Sequence, residues 1–157
     1  MRVDSFNEDY YFIYINNIWT KDIDFNSKEE IISIVKEMII KVQELYSFLL
    51  KGFYSVDIYS NQKVGLFLEI EKLDDIDYGN TIDLKILVHM NQTMYLKMDN
   101  FDYIPDGITV LYDGNYYYIN IDKIDFINMV EYGDIVYGEK VEKHLEKCTK
   151  IKNTNVF

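Results

Sequence analysis

The chain has 157 residues, 48% of them hydrophobic, and a formal charge of −11. That is enough apolar material for one ordinary domain or two small ones. Both halves carry more Asp and Glu than Lys and Arg, which excludes a surface built to grip a phosphate backbone.

Cys148 is the only cysteine, so no intrachain disulfide can form and the chain suits a reducing compartment. Met1-Arg2-Val3-Asp4 lacks the apolar run of a signal peptide. No apolar stretch approaches the ~20 residues needed to span a bilayer. The expectation is a cytoplasmic protein that engages no membrane.

Met1–Phe6 and Tyr10–Ile15 read as two strands joined through Asn7-Glu8-Asp9, with Val3, Tyr11, Ile13 and Ile15 at period two. A polar connection from Asn16 to Asn26 holds the only tryptophan, Trp19. Ser27-Lys28-Glu29-Glu30 is a capping-box pattern, serine to glutamate three residues on. The helix it opens carries a stripe of Ile31, Val35, Met38, Val42, Leu45 and Leu49, widened by Ile32, Ile39 and Tyr46, and Gly52 is expected to end it. Tyr54–Tyr59 and Val64–Glu71 form a hairpin across Ser60-Asn61-Gln62-Lys63, with Val64, Leu66, Leu68 and Ile70 inward.

Lys72 to Asn80 is short, acidic and closed by Gly79-Asn80, the composition of a linker. Beyond it come a strand over Ile82–Val88 and a loop or short helix over Met90–Tyr103, then a turn at Pro105-Asp106-Gly107. Ile108–Tyr112 and Asn115–Ile121 flank Asp113-Gly114, a pairing that favours a mirror-image hairpin turn with two positive φ values. Ile124, Ile127 and Val130 then give a short amphipathic helix, flanked by Phe126 and Met129 and closed at Gly133 by a left-handed cap. Gly138–Cys148 reads as a last helix. The fold class is therefore α+β: two small units in tandem, each an antiparallel sheet packed against one or two helices. Their expected extents are 1–73 and 81–157, with 74–80 as the acidic linker.

No constellation of catalytic or metal-binding residues stands out. Asp22-x-Asp24-x-Asn26 opens like a calcium loop, but Ser27 and Ser33 occupy the positions that need glycine and glutamate. His144 and Cys148 have half the spacing of a zinc site, and the only other histidine is His89. The same two residues lack an orienting third group for nucleophilic catalysis. Carboxylates abound without a pair marked for acid–base work, and no glycine-rich phosphate loop occurs. The expectation is no enzyme, no metal and no cofactor. Tyrosine is plentiful instead: Tyr112, Tyr116, Tyr117, Tyr118, Tyr132 and Tyr137 crowd one short region. Large contact area with a polar handle suits protein interfaces.

Leu111-Tyr112, Asn115-Tyr116-Tyr117 and Glu131-Tyr132-Gly133, with the tail Leu145 to Ile151 and Asn153 to Val156, resemble the C-terminal domain of the MecA adaptor family. Met1-Arg2-Val3 with Asn7-Glu8, Gly52 and Gly65-Leu66 is similar to the N-terminal domain of those adaptors. The resemblance implies a non-catalytic adaptor whose N-terminal unit captures a client protein and whose C-terminal unit docks on a ClpC-type AAA+ unfoldase. It implies a docking face including Tyr116, Tyr117, Glu131 and Tyr132. Asp134 joins Glu131 on physical grounds, as a second acid facing a basic partner. The family's long polar linker is reduced here to a few residues, which limits how far a client can be presented. Binding or inhibition of the unfoldase without delivery is thus within the expectation. The alternative is an acidic mimic that occupies a nucleic-acid-binding protein, although Lys36, Lys41, Lys51, Lys140, Lys143 and Lys147 interrupt its acids.

Overall fold

The computed structural model describes residues 1–7, 9–46, 51–74 and 82–154. The chain divides into two compact units, Met1–Asn91 and Gln92–Phe157. Each has its own five-stranded sheet, and the class is α+β as expected.

In the first unit, strands β1 (Arg2–Asn7) and β2 (Tyr10–Asn16) pair antiparallel. The Asn16 side chain then accepts the Ile18 N–H at 3.1 Å and caps a one-turn helix, α1 (Asn17–Thr20). Helix α2 (Lys28–Leu45) begins where the sequence places it, with the Ser27 hydroxyl accepting the Glu30 N–H at 3.3 Å. The reciprocal half of the box is redirected: the Glu30 carboxylate accepts from the Asp24 N–H at 2.8 Å and ties the preceding turn to the helix. Ile31, Val35, Met38, Ile39 and Val42 are buried, whereas Leu45 and Tyr46 are exposed, so the apolar stripe leaves the core one turn early. Leu49 lies outside the described residues. Gly52 does not cap this helix; it opens β3 (Gly52–Asn61).

Strands β3 and β4 (Gly65–Asp74) form the expected hairpin, and β4 also pairs with β2. Residues 54, 56 and 58 of β3 and 66, 68 and 70 of β4 point to the α2 side, where they join Ile13 and Ile15 in one core. Strand β5 (Ile82–His89) corrects the expected boundary. It pairs with β3, in parallel, from Gly52↔Ile82 to Tyr59↔His89, giving the order β1-β2-β4-β3-β5. The first sheet is therefore mixed rather than antiparallel, and the unit ends at Asn91 instead of residue 73. Of the expected linker 74–80, Asp74 closes β4 and the rest lies outside the described residues. A fragment covering residues 1–91 is expected to fold with a cooperative melt, while 1–73, deprived of β5, should melt at least ~5 °C lower or fail to fold. Equal melting of the two by circular dichroism would refute the assignment of β5.

The second unit starts with β6 (Met94–Met98), inside the segment read as loop or short helix. It is an inner strand, and Met94, Leu96 and Met98 are buried. Strands β7 (Thr109–Tyr112) and β8 (Tyr117–Asn120) follow, then helix α3 (Phe126–Met129), which tightens into a 3-10 turn over Val130–Tyr132. Strand β9 (Asp134–Tyr137), helix α4 (Glu139–Leu145) and strand β10 (Thr149–Lys152) complete an antiparallel sheet of order β10-β7-β8-β6-β9. Its core gathers Leu96, Met98, Ile104, Val110, Ile119, Ile124 and Met129. Asn153 is buried and pins the loop before β7: its side chain donates to the Ile104 carbonyl at 2.7 Å, and its backbone exchanges bonds with Gly107 and Ile108.

Three local expectations in this unit are overturned. The β7–β8 connection is not a two-residue mirror-image turn. Gly114 has φ +100° but Asp113, the other central residue of the expected turn, has no positive φ, and Tyr112↔Tyr117 is the last strand pair, so residues 113–116 form the loop. The Asp113 carboxylate organises it by accepting the Asn115 and Tyr116 N–H groups at 2.8 and 2.7 Å. Around α3 the stripe is Ile124, Phe126 and Met129, while Ile127 is 74% exposed and Val130 borders solvent. Gly133 is extended at φ −168° rather than left-handed. Glycine is needed there because an added Cβ would strike the Lys97 carbonyl.

A candidate docking groove on the second unit

Four of the five expected contact residues meet in one place. Tyr116 at the end of the β7–β8 loop, Glu131 and Tyr132 in the 3-10 turn, and Asp134 at the start of β9 line a shallow groove of about 290 Å³, together with Lys97, Asp99 and Gly133. The backbone explains the convergence. Lys97 on β6 faces Asp134 on β9 and Tyr118 on β8, so both neighbouring segments are drawn to one end of the inner strand. The close approach of Gly133 to the Lys97 carbonyl seats the Glu131–Tyr132 turn beside it.

The groove is acidic and aromatic. Asp99, Glu131 and Asp134 outnumber Lys97, whose ammonium lies 4.1 Å from the centre of the Tyr116 ring. Tyr132 stacks on Tyr103, centroids 4.3 Å apart and planes 11° apart. A hydrogen bond to the Glu131 carboxylate, reinforced by its charge, raises the Tyr132 hydroxyl pKa. Tyr103, itself exposed, extends the aromatic surface beyond the groove through its stack on Tyr132, and Ile127 and Val130 of the preceding segment are exposed as well.

Tyr117 is not part of it. Its ring turns into the second core, stacked on Tyr112 at 4.6 Å and tilted against Phe101 at 5.3 Å. Tyr118 faces the other side of the sheet and is 6% exposed, beside His144 of α4. Sequence reasoning missed Lys97, Asp99 and Tyr103, all from the segment read as loop or short helix. The alternation of Met94, Leu96 and Met98 with Tyr95 and Lys97 was the available signal.

The His144–Cys148 pair is organised for structure. The Cys148 thiol donates to the His144 carbonyl at 3.4 Å, and burial, with the nearby Asp113 charge, pushes its pKa up. The His144 ring is engaged by Asp113 at 2.9 Å. A nucleophilic thiol needs the reverse, a lowered pKa and a base at hydrogen-bond distance. Among the described residues no three His, Cys, Asp or Glu side chains converge on a point where a metal ion would sit, and no helix is long and apolar enough to cross a membrane. No family model, curated protein or solved structure matches the chain.

Proposed function

We propose that the protein is a non-catalytic cytoplasmic adaptor or regulator that docks a partner protein through the groove of its second unit. The observation that carries this reading is the convergence of Tyr116, Glu131, Tyr132 and Asp134 on one surface, with exposed Tyr103 stacked on Tyr132. Aromatic rings offer the desolvated contact area on which interface energy concentrates, and the three carboxylates favour a basic partner. The specific partner, a ClpC-type AAA+ unfoldase, rests on the resemblance of short motifs to the MecA adaptors, and so does capture of a client by the first unit.

Glu131→Lys is expected to weaken binding to a purified ClpC-type protein at least tenfold, ~1.4 kcal/mol, without altering the fold. Glu37→Lys, on the exposed side of α2, should leave binding within twofold. Calorimetry decides the matter: no measurable heat with the wild type removes the unfoldase as partner. Equal affinity of wild type and both variants removes the groove.

A further inference from the structure

The sheet of the second unit has a face turned away from its core. Leu96, Val110, Ile119 and Ile151 belong to or pack against that core, so their chain neighbours Tyr95, Leu111, Tyr118 and Lys150 point the other way, as do Thr109 and Asn120. Strand pairing sets Lys150 beside Leu111, Leu111 beside Tyr118, and Asn120 beside Tyr95. Helix α4 packs on one part of this face: the Tyr118 ring meets His144 edge-on at 5.7 Å, and the Tyr95 hydroxyl donates to the Glu142 carboxylate at 3.4 Å. The same two tyrosines, with Thr109, Leu111, Asn120 and Lys150, line a cavity of about 460 Å³. Lys123 completes its wall from the end of the 3-10 turn Ile121–Lys123.

The charge of this cavity runs against the composition. The chain carries 27 Asp and Glu against 16 Lys and Arg, and three carboxylates line the groove on the same unit. Here two lysines line the wall and, among the described residues, no carboxylate does. Neither the Lys123 nor the Lys150 ammonium has an ion-pair partner among the described residues. Neutral donors are open as well. The Asn120 side-chain oxygen accepts the Asp122 N–H at 2.9 Å, which leaves its amide N–H groups to donate elsewhere, and the Thr109 hydroxyl has no partner among the described residues. The acids that touch the tyrosines of the wall are engaged: Asp113 accepts four donors, the Tyr118 hydroxyl among them, and Glu142 accepts from Tyr95. Two unpaired cations and two open donors thus surround one concavity.

We propose that this cavity binds a small phosphate monoester carried on a planar ring, of the nucleoside monophosphate class. Two ammonium groups match the charge of a phosphate dianion, and lysine binds phosphate as a point charge on a flexible stem. Thr109 and Asn120 donate to the remaining phosphate oxygens. The Tyr95 and Tyr118 hydroxyls are already spent on Glu142 and Asp113, so these residues offer their rings, and with Leu111 they give a planar body an apolar wall. The volume lies within the ~300–1,000 Å³ of small-molecule sites. A nucleic acid strand is a different case: its successive phosphates would run out of the cavity onto an acidic surface, whereas a single monoester meets only the two lysines.

The test is calorimetry on the full chain with adenosine monophosphate, adenosine, inorganic phosphate and a decathymidylate strand. Adenosine monophosphate is expected to bind, adenosine at least tenfold more weakly and inorganic phosphate at least threefold more weakly. Lys123→Gln and Lys150→Gln should each weaken the monophosphate at least fivefold with the melting temperature unchanged, since both side chains are exposed. Lys143→Gln, on α4 and paired with Glu139, makes the same change in net charge outside the cavity and should stay within twofold. No heat with adenosine monophosphate would overturn the proposal. Affinity retained in both cavity variants would overturn it by placing the ligand elsewhere. Adenosine binding as tightly as its monophosphate would remove the phosphate, inorganic phosphate binding as tightly would remove the ring, and decathymidylate binding more tightly would reduce the site to a general attraction for polyanions; each overturns the assignment.

Discussion

Gly65→Ala is expected to destabilise the first unit by about 3 kcal/mol or more, although it adds one methyl group, because strain and collision add there. Gly65 has φ +120°, and a Cβ built on it would strike the Ile15 carbonyl, which is backbone of the neighbouring strand and cannot swing aside. The residue closes two ladders at once, opposite Asn16 on β2 and Asn61 on β3, so any shift is shared by three strands. Gly114→Ala supplies the comparison. Its φ is +100°, yet nothing lies within 4 Å of the added carbon, so it should cost only the conformational term, about 1–2 kcal/mol. Gly133→Ala isolates the other term, with no left-handed strain and a collision at the Lys97 carbonyl. Urea unfolding of the three variants measures all three costs. Equal values for Gly65 and Gly114 would mean that the strand crossing at Ile15 yields freely.

What the sequence made legible follows the length of each pattern. Helix α2 offers five turns for its apolar stripe to repeat, and the Ser27 hydroxyl marks its start. The β3–β4 hairpin repeats its alternation over ten residues per strand. Helix α3 is four residues long, too short for a 3.6-residue period to be sampled, and of Ile124, Ile127 and Val130 only Ile124 is in the core, with Phe126 and Met129 in place of the other two. Strand β6 was hidden by composition: methionine and lysine are ordinary helix residues, and what makes this segment a strand is its place between β8 and β9. The partner of β5 was illegible for another reason. Its alternation is visible, but parallel pairing with β3 is a long-range choice, and the acidic stretch before it reads as a domain break. The groove was partly legible because Glu131, Tyr132 and Asp134 are neighbours in the chain. Its far wall, Lys97 on the misread strand and Asp99 just after it, comes from a segment read as loop or short helix.

Asp113→Ala is expected to destabilise the second unit by about 2–3 kcal/mol at pH 7, through hydrogen bonds rather than buried area. One carboxylate oxygen accepts the Asn115 and Tyr116 N–H groups at 2.8 and 2.7 Å; the other accepts the Tyr118 hydroxyl and the His144 ring, both at 2.9 Å. The single side chain thus holds the β7–β8 loop in shape and ties it to α4. Without it the Tyr118 hydroxyl, on a residue 6% exposed, loses its acceptor. Burial alone would raise the Asp113 pKa, but the four donors outweigh it and hold the carboxyl well below the usual carboxylate range. The sign of the pH dependence follows. The folded state binds the Asp113 proton more weakly than the unfolded chain does, so the contribution is full above the unfolded value of about 3.9 and is lost as pH falls below it. Wild type and variant should therefore differ most near neutrality and converge in the acid limb, which thermal melts between pH 7 and pH 2 would resolve. A gap that stays constant across that range would show that the carboxylate acts by shape alone. Because Tyr116 follows this loop into the groove, the same variant should also weaken partner binding, with Glu131 and Asp134 untouched. Retained affinity despite lowered stability would mean that the groove does not depend on the loop that carries Tyr116.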